Sequence, residues 1–349
     1  MRFPQAPSQD LVKIGDTLKD RWKVKEKLGK GGFGQIFQAY DKKLGHDVAI
    51  KVEAMNSPNQ ALKMEVAVLR RLQGKTHVCK FFGSGRTKTV NFVVMSICGK
   101  NLGELRRQMP DNYFSISTSF RLTLQMITAV QELHSIGFLH RDIKPPNFAM
   151  GRDEEKRKVI MLDFGLSRQF LGPKGEVRSP RDYAGFRGTV RYASLTSHLE
   201  QEMGRRDDLL SLLYVTIEFL KGQLPWRNER DKTEVGKMKQ EMSTKQLLSG
   251  LPDPIVEKLD NFAKHLLGLQ YADTPDYSLL CKCLTDVLES MNVSDTDPFD
   301  WEADFKQILA KEEKELTKST QVYRQGTKSK QKENATEPPP DEKDQFADE

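Results

Sequence analysis

The chain is poor in the features that mark secreted, membrane-spanning or zinc-binding proteins. Its 349 residues include four cysteines, Cys79, Cys98, Cys281 and Cys283, none of which forms a CxxC pair. This spacing argues against a zinc site and favours buried free thiols in a reducing compartment. No stretch reaches the roughly 18 consecutive apolar residues of a membrane span, and the first residues lack the apolar core of a signal peptide. We therefore expect a cytoplasmic location, with the nucleus as a second compartment, and no membrane partner.

A strong excess of charge of one sign is also missing. The formal net charge is +6, and the isoelectric point is near 8.9. The basic residues do not form a stripe interleaved with stacking aromatics, so the sequence predicts no nucleic-acid partner. Two interpretations stay open: a basic cleft for an acidic or phosphorylated substrate, or a solvated basic surface.

The hydrophobic pattern divides the chain into four parts. Residues 1–20 form an irregular lead-in, and residues 21–95 alternate apolar and polar side chains in the manner of strands. Residues 96–305 show the periodicity of amphipathic helices. Residues 306–349 contain few apolar side chains, too few to offset the chain entropy of ordering, and we expect a disordered charged tail.

The individual segments predict an α+β protein with two lobes. A small antiparallel sheet with one main helix is followed by a larger, mostly helical lobe. Strands are predicted at residues 22–28, 35–40, 47–52, 81–85 and 90–95, and helices at residues 59–72, 117–136, 206–221, 255–269 and 277–291.

Two short motifs in the second lobe carry chemistry. The run HRDIKPPN at residues 140–147 places Asp142 as a candidate base and Lys144 as a cation able to neutralise a phosphoryl group. Asn147 and Asp163, the latter in the run Asp163-Phe164-Gly165, are candidate magnesium ligands. Phosphoryl transfer needs this combination, because its catalysis is mostly positioning and charge stabilisation. The alternative is an ordinary aspartate in a polar loop, which the joint presence of both motifs disfavours.

A glycine-rich run precedes these motifs. The residues are Gly29, Lys30, Gly31, Gly32, Phe33 and Gly34, and they fit the pattern GxGxxG. The same pattern opens dinucleotide-binding folds, but there a helix follows the glycines. Here a strand-like segment and a hairpin follow, which favours a loop whose backbone N–H groups cover phosphates. A glycine-rich hairpin without a ligand is the alternative.

Lys51 lies one hairpin later, on an inward-facing strand position. A lysine there costs stability unless it is paired, and Glu65 on the following helix is the natural partner. In a kinase such a lysine holds the α- and β-phosphates. A surface lysine is the alternative.

In this order the motifs resemble those of a eukaryotic-type protein kinase, over about residues 20–300. Lys144 resembles the lysine that serine/threonine kinases place two residues after the catalytic aspartate. The run GTVRYAS at residues 188–194, standing where most kinases carry Ala-Pro-Glu, and RRDD at residues 205–208 are similar to the casein kinase I family. The runs NFAMG, LPWR and DPFDWE at residues 147–151, 224–227 and 297–302 resemble its tau-tubulin kinase branch.

The resemblance implies ATP and Mg²⁺ as cofactors, protein substrates and a monomer. It implies that Met95 is the gatekeeper and that Ser96, Ile97 and Cys98 form the hinge that binds adenine. It adds Leu28, Ile36 and Ala49 to the ATP site. It implies further that Thr189 bonds Asp142 and Lys144, and that Asp208 anchors the catalytic loop. Pro146 departs from the family pattern, since that position is commonly polar.

Substrate preference rests on a cluster of basic residues. Arg178, Arg187, Arg191 and Lys237 could form a groove beside the catalytic loop, and guanidinium groups suit phosphate and carboxylate. We therefore predict phosphorylation of Ser/Thr at acidic or already phosphorylated sites. Alternatively, these arginines only fix the activation segment. A catalytically weak pseudokinase scaffold is the second functional hypothesis; it predicts loss of Lys51, Asp142 or Asp163, all of which are present.

Overall fold

The computed structural model describes residues 10–32, 34–58 and 60–333. The first lobe is an antiparallel sheet of six strands in the order β1-β2-β3-β4-β6-β5. Its strands are β1 (Thr17–Leu18), β2 (Trp22–Gly31), β3 (Gly34–Asp41), β4 (His46–Ala54), β5 (Phe81–Arg86) and β6 (Val90–Met95). Alternating side chains of these strands, among them Phe37, Ile50 and Phe92, fill an apolar core on one face of the sheet. Helix α1 (Ala61–Leu72) belongs to the same lobe.

The second lobe is mostly helical. Its helices are α2 (Leu102–Gln108), α3 (Ile116–Ser135), α4 (Leu195–His198), α5 (Arg205–Lys221), α6 (Lys232–Glu241), α7 (Thr244–Leu247), α8 (Asp253–Gly268), α9 (Tyr277–Ser290) and α10 (Phe305–Glu333). Helix α3 is buried against α5 and α9, with Phe120, Met126 and Leu133 fully enclosed. Two small antiparallel pairs lie between the helices and the first lobe: β7 (Phe138–Leu139) with β10 (Arg168–Gln169), and β8 (Phe148–Met150) with β9 (Val159–Met161).

The two-lobed α+β architecture predicted from the sequence is confirmed. Every predicted strand and helix is present, with bounds that differ by a few residues. Several shorter helices, α2, α4, α6 and α7, were not predicted, because four to ten residues give too little periodicity. No helix in the described ranges is both long and apolar enough to cross a membrane.

The C-terminal segment differs from the prediction of a disordered tail from residue 306. Helix α10 covers Phe305–Glu333, and Glu312 is buried against the start of α3. Its carboxylate accepts the backbone N–H groups of Ile116 and Ser117 at 2.9 and 2.7 Å. A carboxyl side chain thus supplies the contact that apolar content did not predict. Residues 334–349, the rest of the predicted tail, lie outside the described residues.

The cysteines are free thiols, as predicted. Cys79 and Cys283 are buried, whereas Cys98 and Cys281 are half-buried. The Sγ atoms of Cys79 and Cys98 lie 3.4 Å apart behind the segment that joins the two lobes.

Candidate active site

A buried ion network joins the two lobes. The Lys51 Nζ lies 2.6 Å from Glu65 Oε2 and 2.9 Å from Asp163 Oδ1. Strand β4 supplies the lysine and α1 the glutamate, while the aspartate follows β9. Burial alone would lower the pKa of Lys51, but the two carboxylates outweigh it and raise that pKa above its ordinary value. The predicted pairing of Lys51 with Glu65 is confirmed, and it positions the ammonium beside a candidate metal ligand.

Asp142 lies at the centre of a second network, immediately after β7. Its Oδ1 accepts the hydroxyl of Thr189 at 2.7 Å, and its Oδ2 accepts the Lys144 ammonium at 2.6 Å. Lys144 also reaches the Thr189 Oγ1 at 3.2 Å. The Asn147 amide nitrogen donates to the backbone carbonyl of Asp142 at 2.9 Å. One carboxylate, one ammonium and one hydroxyl are thus held together, which is the arrangement expected of a base that orients a hydroxyl nucleophile.

Asp208 supports this loop from α5 below. Its carboxylate accepts the backbone N–H groups of His140 and Arg141 at 2.7 and 2.8 Å, and contacts the His134 Nε2 at 2.9 Å. Burial opposes its charge, but the His134 contact and nearby charge leave the pKa of Asp208 below its ordinary value. The anionic Asp208 therefore fixes two consecutive N–H groups, including that of Arg141, whose φ of 66° lies in the left-handed region. The anchoring role predicted for Asp208 is confirmed.

His140 and Arg141 are structural. The His140 ring contacts the Leu162 carbonyl at 3.0 Å and packs against Phe164. The Arg141 Nε donates to the Leu166 carbonyl at 2.8 Å. These bonds fix the catalytic loop against the segment that carries Asp163.

Pro146 has a local explanation. Pro145–Asn147 forms one 3₁₀ turn, closed by the Asn147 N–H and the Lys144 carbonyl at 3.0 Å. The first N–H groups of such a turn have no partner within it, so Pro146 removes no hydrogen bond there. Its ring is exposed and stands against Gly103 of α2, where an added Cβ would lie 3.3 Å from the Pro146 Cγ. Proline therefore shapes a wall beside the catalytic loop without weakening it.

The glycine-rich residues lie on the β2–β3 hairpin, above β4. An added Cβ at Gly34 would meet the Val52 carbonyl oxygen at 2.3 Å, so glycine is required there for close backbone approach. At Gly29 and Gly32 an added Cβ would meet nothing within 4 Å. Packing does not explain glycine at those two positions, whereas an approaching phosphate does. Phe33 lies outside the described residues.

The remaining predicted nucleotide-site residues surround this hairpin. Leu28 and Lys30 are on β2, Gly31 ends that strand, Ile36 is on β3, and Ala49 on β4 pairs with Met95 at the end of β6. Ile36 pairs with Lys51 across β3 and β4. Ser96 and Cys98 follow in the segment between the lobes. This segment is held to the first lobe by the hydrogen bond from the Ser96 N–H to the Lys80 carbonyl, and to the second lobe by the one from the Gly99 N–H to the Met150 carbonyl.

The donor set fits a magnesium–nucleotide ligand. Asp163 offers a carboxylate, and the Asn147 amide nitrogen is committed to Asp142, which leaves its amide oxygen for a cation. Mg²⁺ prefers a few such oxygens together with phosphate oxygens and water. When bound, the metal and nucleotide would supply the phosphoryl group and neutralise its charge. No group of three or more His, Cys, Asp or Glu suited to a metal occurs in the described ranges.

The four basic residues predicted to bind substrate do not converge. Arg191 pairs with Glu218 at 3.3 Å and lines a cavity beside Lys144 and Thr189. Arg178 is exposed and bonds the Leu171 carbonyl, Arg187 bonds the neighbouring Phe186 carbonyl, and Lys237 pairs with Glu234 on its own helix. These last three lie outside the set of residues lining that cavity.

The cavity itself was missed as a site by sequence reasoning. It has a volume of about 730 Å³ and extends from Lys144 and Thr189 past Pro146. Its further basic lining is Arg106, Arg107, Arg227 and Arg230. Arg227 ends the LPWR run, but nothing in the sequence brings it together with α2.

Known proteins with similar sequences are protein kinases. The protein kinase domain model matches residues 22–287. A probable serine/threonine-protein kinase of Dictyostelium discoideum is 46% identical over 289 residues, 82% of this chain and 58% of that protein. A putative serine/threonine-protein kinase of Caenorhabditis elegans is 35% identical, over 87% of this chain and 88% of that protein. A putative casein kinase I of the same organism is 33% identical, over 85% of this chain and 88% of that protein. The chain belongs to the protein kinase family, and it is a protein serine/threonine kinase.

Proposed function

We propose that this kinase is of the casein kinase I type, closest to the tau-tubulin kinase branch, and that it uses ATP and Mg²⁺ to phosphorylate Ser/Thr at acidic or already phosphorylated protein sites. The observation that supports the proposal most is the basic lining of the cavity beside Asp142. The cavity begins at Lys144 and Thr189, so a peptide whose hydroxyl reaches Asp142 extends directly into it.

The carboxylates at this cavity are already satisfied. Glu218 accepts the Tyr192 hydroxyl at 2.7 Å and pairs with Arg191 and Arg106 at 3.3 and 3.5 Å. Glu229 accepts the backbone N–H groups of residues 230 and 231. The buried Glu218 is thus committed to groups of the protein, and the Oε1 of the exposed Glu229 to its own backbone turn, so the groove offers a basic peptide few free acceptors.

The cations are not all satisfied. Arg107 and Arg230 are exposed and have no hydrogen-bond or ion-pair partner among the described side chains. Guanidinium groups bind carboxylate and phosphate through paired, charge-assisted hydrogen bonds. An acidic or phosphorylated residue a few positions from the target hydroxyl would supply the missing partner.

The test is a peptide array read with the wild-type protein and with the double variant Arg107→Gln/Arg230→Gln. We expect the wild type to favour acidic and phosphorylated flanks. The variant should raise the KM of such peptides about tenfold, since the two exposed guanidinium pairs with the peptide are together worth about 1.4 kcal/mol. A neutral peptide should be unaffected.

Arg152→Gln, which removes an exposed arginine remote from the cavity, is the matched control for this array. An array without bias toward either kind of flank would contradict the proposal. Acidic peptides and phosphorylated peptides are measured as separate sets, which distinguishes the two substrate types.

A pseudokinase scaffold is the weaker alternative, because Lys51, Asp142 and Asp163 all lie in the networks that turnover needs. We also propose a cytoplasmic, and secondarily nuclear, location and a monomeric state. Imaging of the tagged protein and sedimentation velocity at micromolar concentration test these two statements.

A further inference from the structure

Helix α6 carries a lysine in an unusual environment. Lys239 is 7% exposed, and its Nζ donates to the Val190 and Ala193 carbonyls at 2.9 and 2.7 Å. The third neighbour is the His198 Nε2, at 3.2 Å. An ammonium has three N–H donors, and three acceptors surround this one.

Two aromatic rings complete the enclosure. The Nζ lies 5.0 Å from the ring centroids of both Tyr214 and Trp226, within the range of cation–π attraction. No carboxylate pairs with Lys239 among the described residues, although burying a cation without a counter-ion is costly. Two of its three hydrogen-bond acceptors are instead backbone carbonyls of one segment, and this suggests the role of the side chain.

That segment connects directly to the catalytic loop. Thr189, at its start, donates to Asp142 at 2.7 Å. Within it, the Arg191 carbonyl accepts the Trp226 Nε1–H at 2.8 Å, and the Tyr192 hydroxyl donates to Glu218 at 2.7 Å. Lys239 and Trp226 together fix the carbonyls of residues 190, 191 and 193. The same segment forms one wall of the substrate cavity.

We infer that Lys239 is a positioning residue for the protein substrate. Its ammonium fixes the segment from Thr189 to Ala193, and through it both the Thr189 hydroxyl at Asp142 and the wall against which the peptide lies. It touches no reacting atom. The inference rests on the proposed kinase activity but not on the preference for acidic sites.

The geometry predicts a dependence on pH. The titratable groups that face Lys239 are His198 from α4 and Tyr214 from α5, while the Arg191 and Tyr192 side chains of the segment itself are directed to Glu218. Burial and the Lys239 charge lower the pKa of His198 to about 4, and burial raises the pKa of Tyr214 to about 12. The pKa values of Arg191 and Tyr192 are both raised. On α6 itself, Lys232 is paired with Glu200.

Of these groups, Lys239 is therefore the cation whose pKa burial moves toward neutral pH. Burial lowers its pKa well below the ordinary value. At a pH below that pKa, the three N–H groups of the Lys239 ammonium donate to three acceptors. At a pH above it, the neutral amine has two N–H groups and one lone pair. One acceptor is then left without a donor, so substrate positioning weakens as the pH rises.

The first test is Lys239→Met, which keeps the length of the side chain and removes its donors. We expect the KM for a protein substrate to rise and kcat/KM to fall at least tenfold, with the KM for ATP changed less than twofold. Lys264→Met, at an exposed lysine of α8, is the matched control. A variant that merely folds less well would show a lower kcat with both KM values unchanged, and that result would overturn the inference.

The second test uses the wild type alone and stands even if Lys239→Met fails to fold. The pH profile of kcat/KM is measured from pH 6 to pH 10 with an acetylated peptide of Ser, Ala, Asp and Glu. We expect kcat/KM for the peptide to fall at alkaline pH, with a midpoint below about 10.4, the ordinary lysine pKa. The KM for ATP should show no such change. A flat profile, or an equal descent for both substrates, would overturn the inference. If the wild type phosphorylates no peptide at any pH, the proposed function itself has failed.

Discussion

Lys51 binds two carboxylates at once, and this makes its removal different from the removal of either partner. In Lys51→Met the buried Glu65 and the half-buried Asp163 both lose their cation. Leaving a buried charge unpaired typically costs about 3–5 kcal/mol of unfolding free energy. In Glu65→Gln the Lys51–Asp163 pair survives, and the Gln carbonyl can still accept a hydrogen bond, so we expect a loss of about 1–2 kcal/mol.

Urea unfolding at pH 7, without metal or nucleotide, measures both losses through the fluorescence of the three tryptophans. The double variant Lys51→Met/Glu65→Gln should be more stable than Lys51→Met, because it removes one of the two orphaned carboxylates. The deficit of Lys51→Met should shrink as the pH falls toward 5, because protonation neutralises the carboxylates that have lost their cation. A loss for Glu65→Gln that equals or exceeds the loss for Lys51→Met would refute this reasoning.

Three other carboxylates give measurable outcomes. Asp142→Asn should lower kcat by a factor of about 10²–10⁴ in a radiolabelled-ATP assay, with little change in the KM for ATP, because it removes the group that accepts the substrate proton. Equal turnover by the variant and the wild type would show that Asp142 does not have that role. Asp41 accepts hydrogen bonds from Arg21 and Trp22, which overcome its burial and lower its pKa to about 2. The wild type should therefore lose stability as the pH falls from about 4 to about 2, and Asp41→Asn should lack that dependence in acid unfolding. Burial raises the pKa of Glu312 to about 7, so its contribution to stability should fall as the pH rises from about 4.5 to about 7; the same slope in Glu312→Gln would contradict this assignment.

The sequence was sufficient for the parts of the molecule that local order determines. The segments of β2 to β6 are short runs rich in strand-forming residues between turn residues, and α3 repeats its apolar residues at helical spacing, so their positions followed directly. The pairing of Lys51 with Glu65 followed from the order of strand and helix, and the contacts of Thr189 with Asp142 and Lys144 followed from the family resemblance.

Sequence reasoning was weakest where distant segments meet. Arg107 on α2 and Arg230 beyond α5 line one cavity although 123 positions separate them, and no local pattern brings them together. Conversely, Arg178 and Arg187 are close to Arg191 in the sequence, and Lys237 has the same charge. The side chains of these three residues nevertheless bind other groups. Lys239 was missed because a lysine among polar residues on a short helix gives no sign of burial.

Glu312 also bears on where the folding unit ends. The family model matches the chain only to residue 287, yet the first N–H groups of α3, the central helix, find acceptors at Asp300 and Glu312. Residues far along the chain thus cap a helix that begins near residue 116, so the second lobe is complete only after the chain has passed through the start of α10. During synthesis the start of α3 would emerge 195 residues or more before its last cap. Its first turn is then the part of the lobe that must wait longest for its native partners.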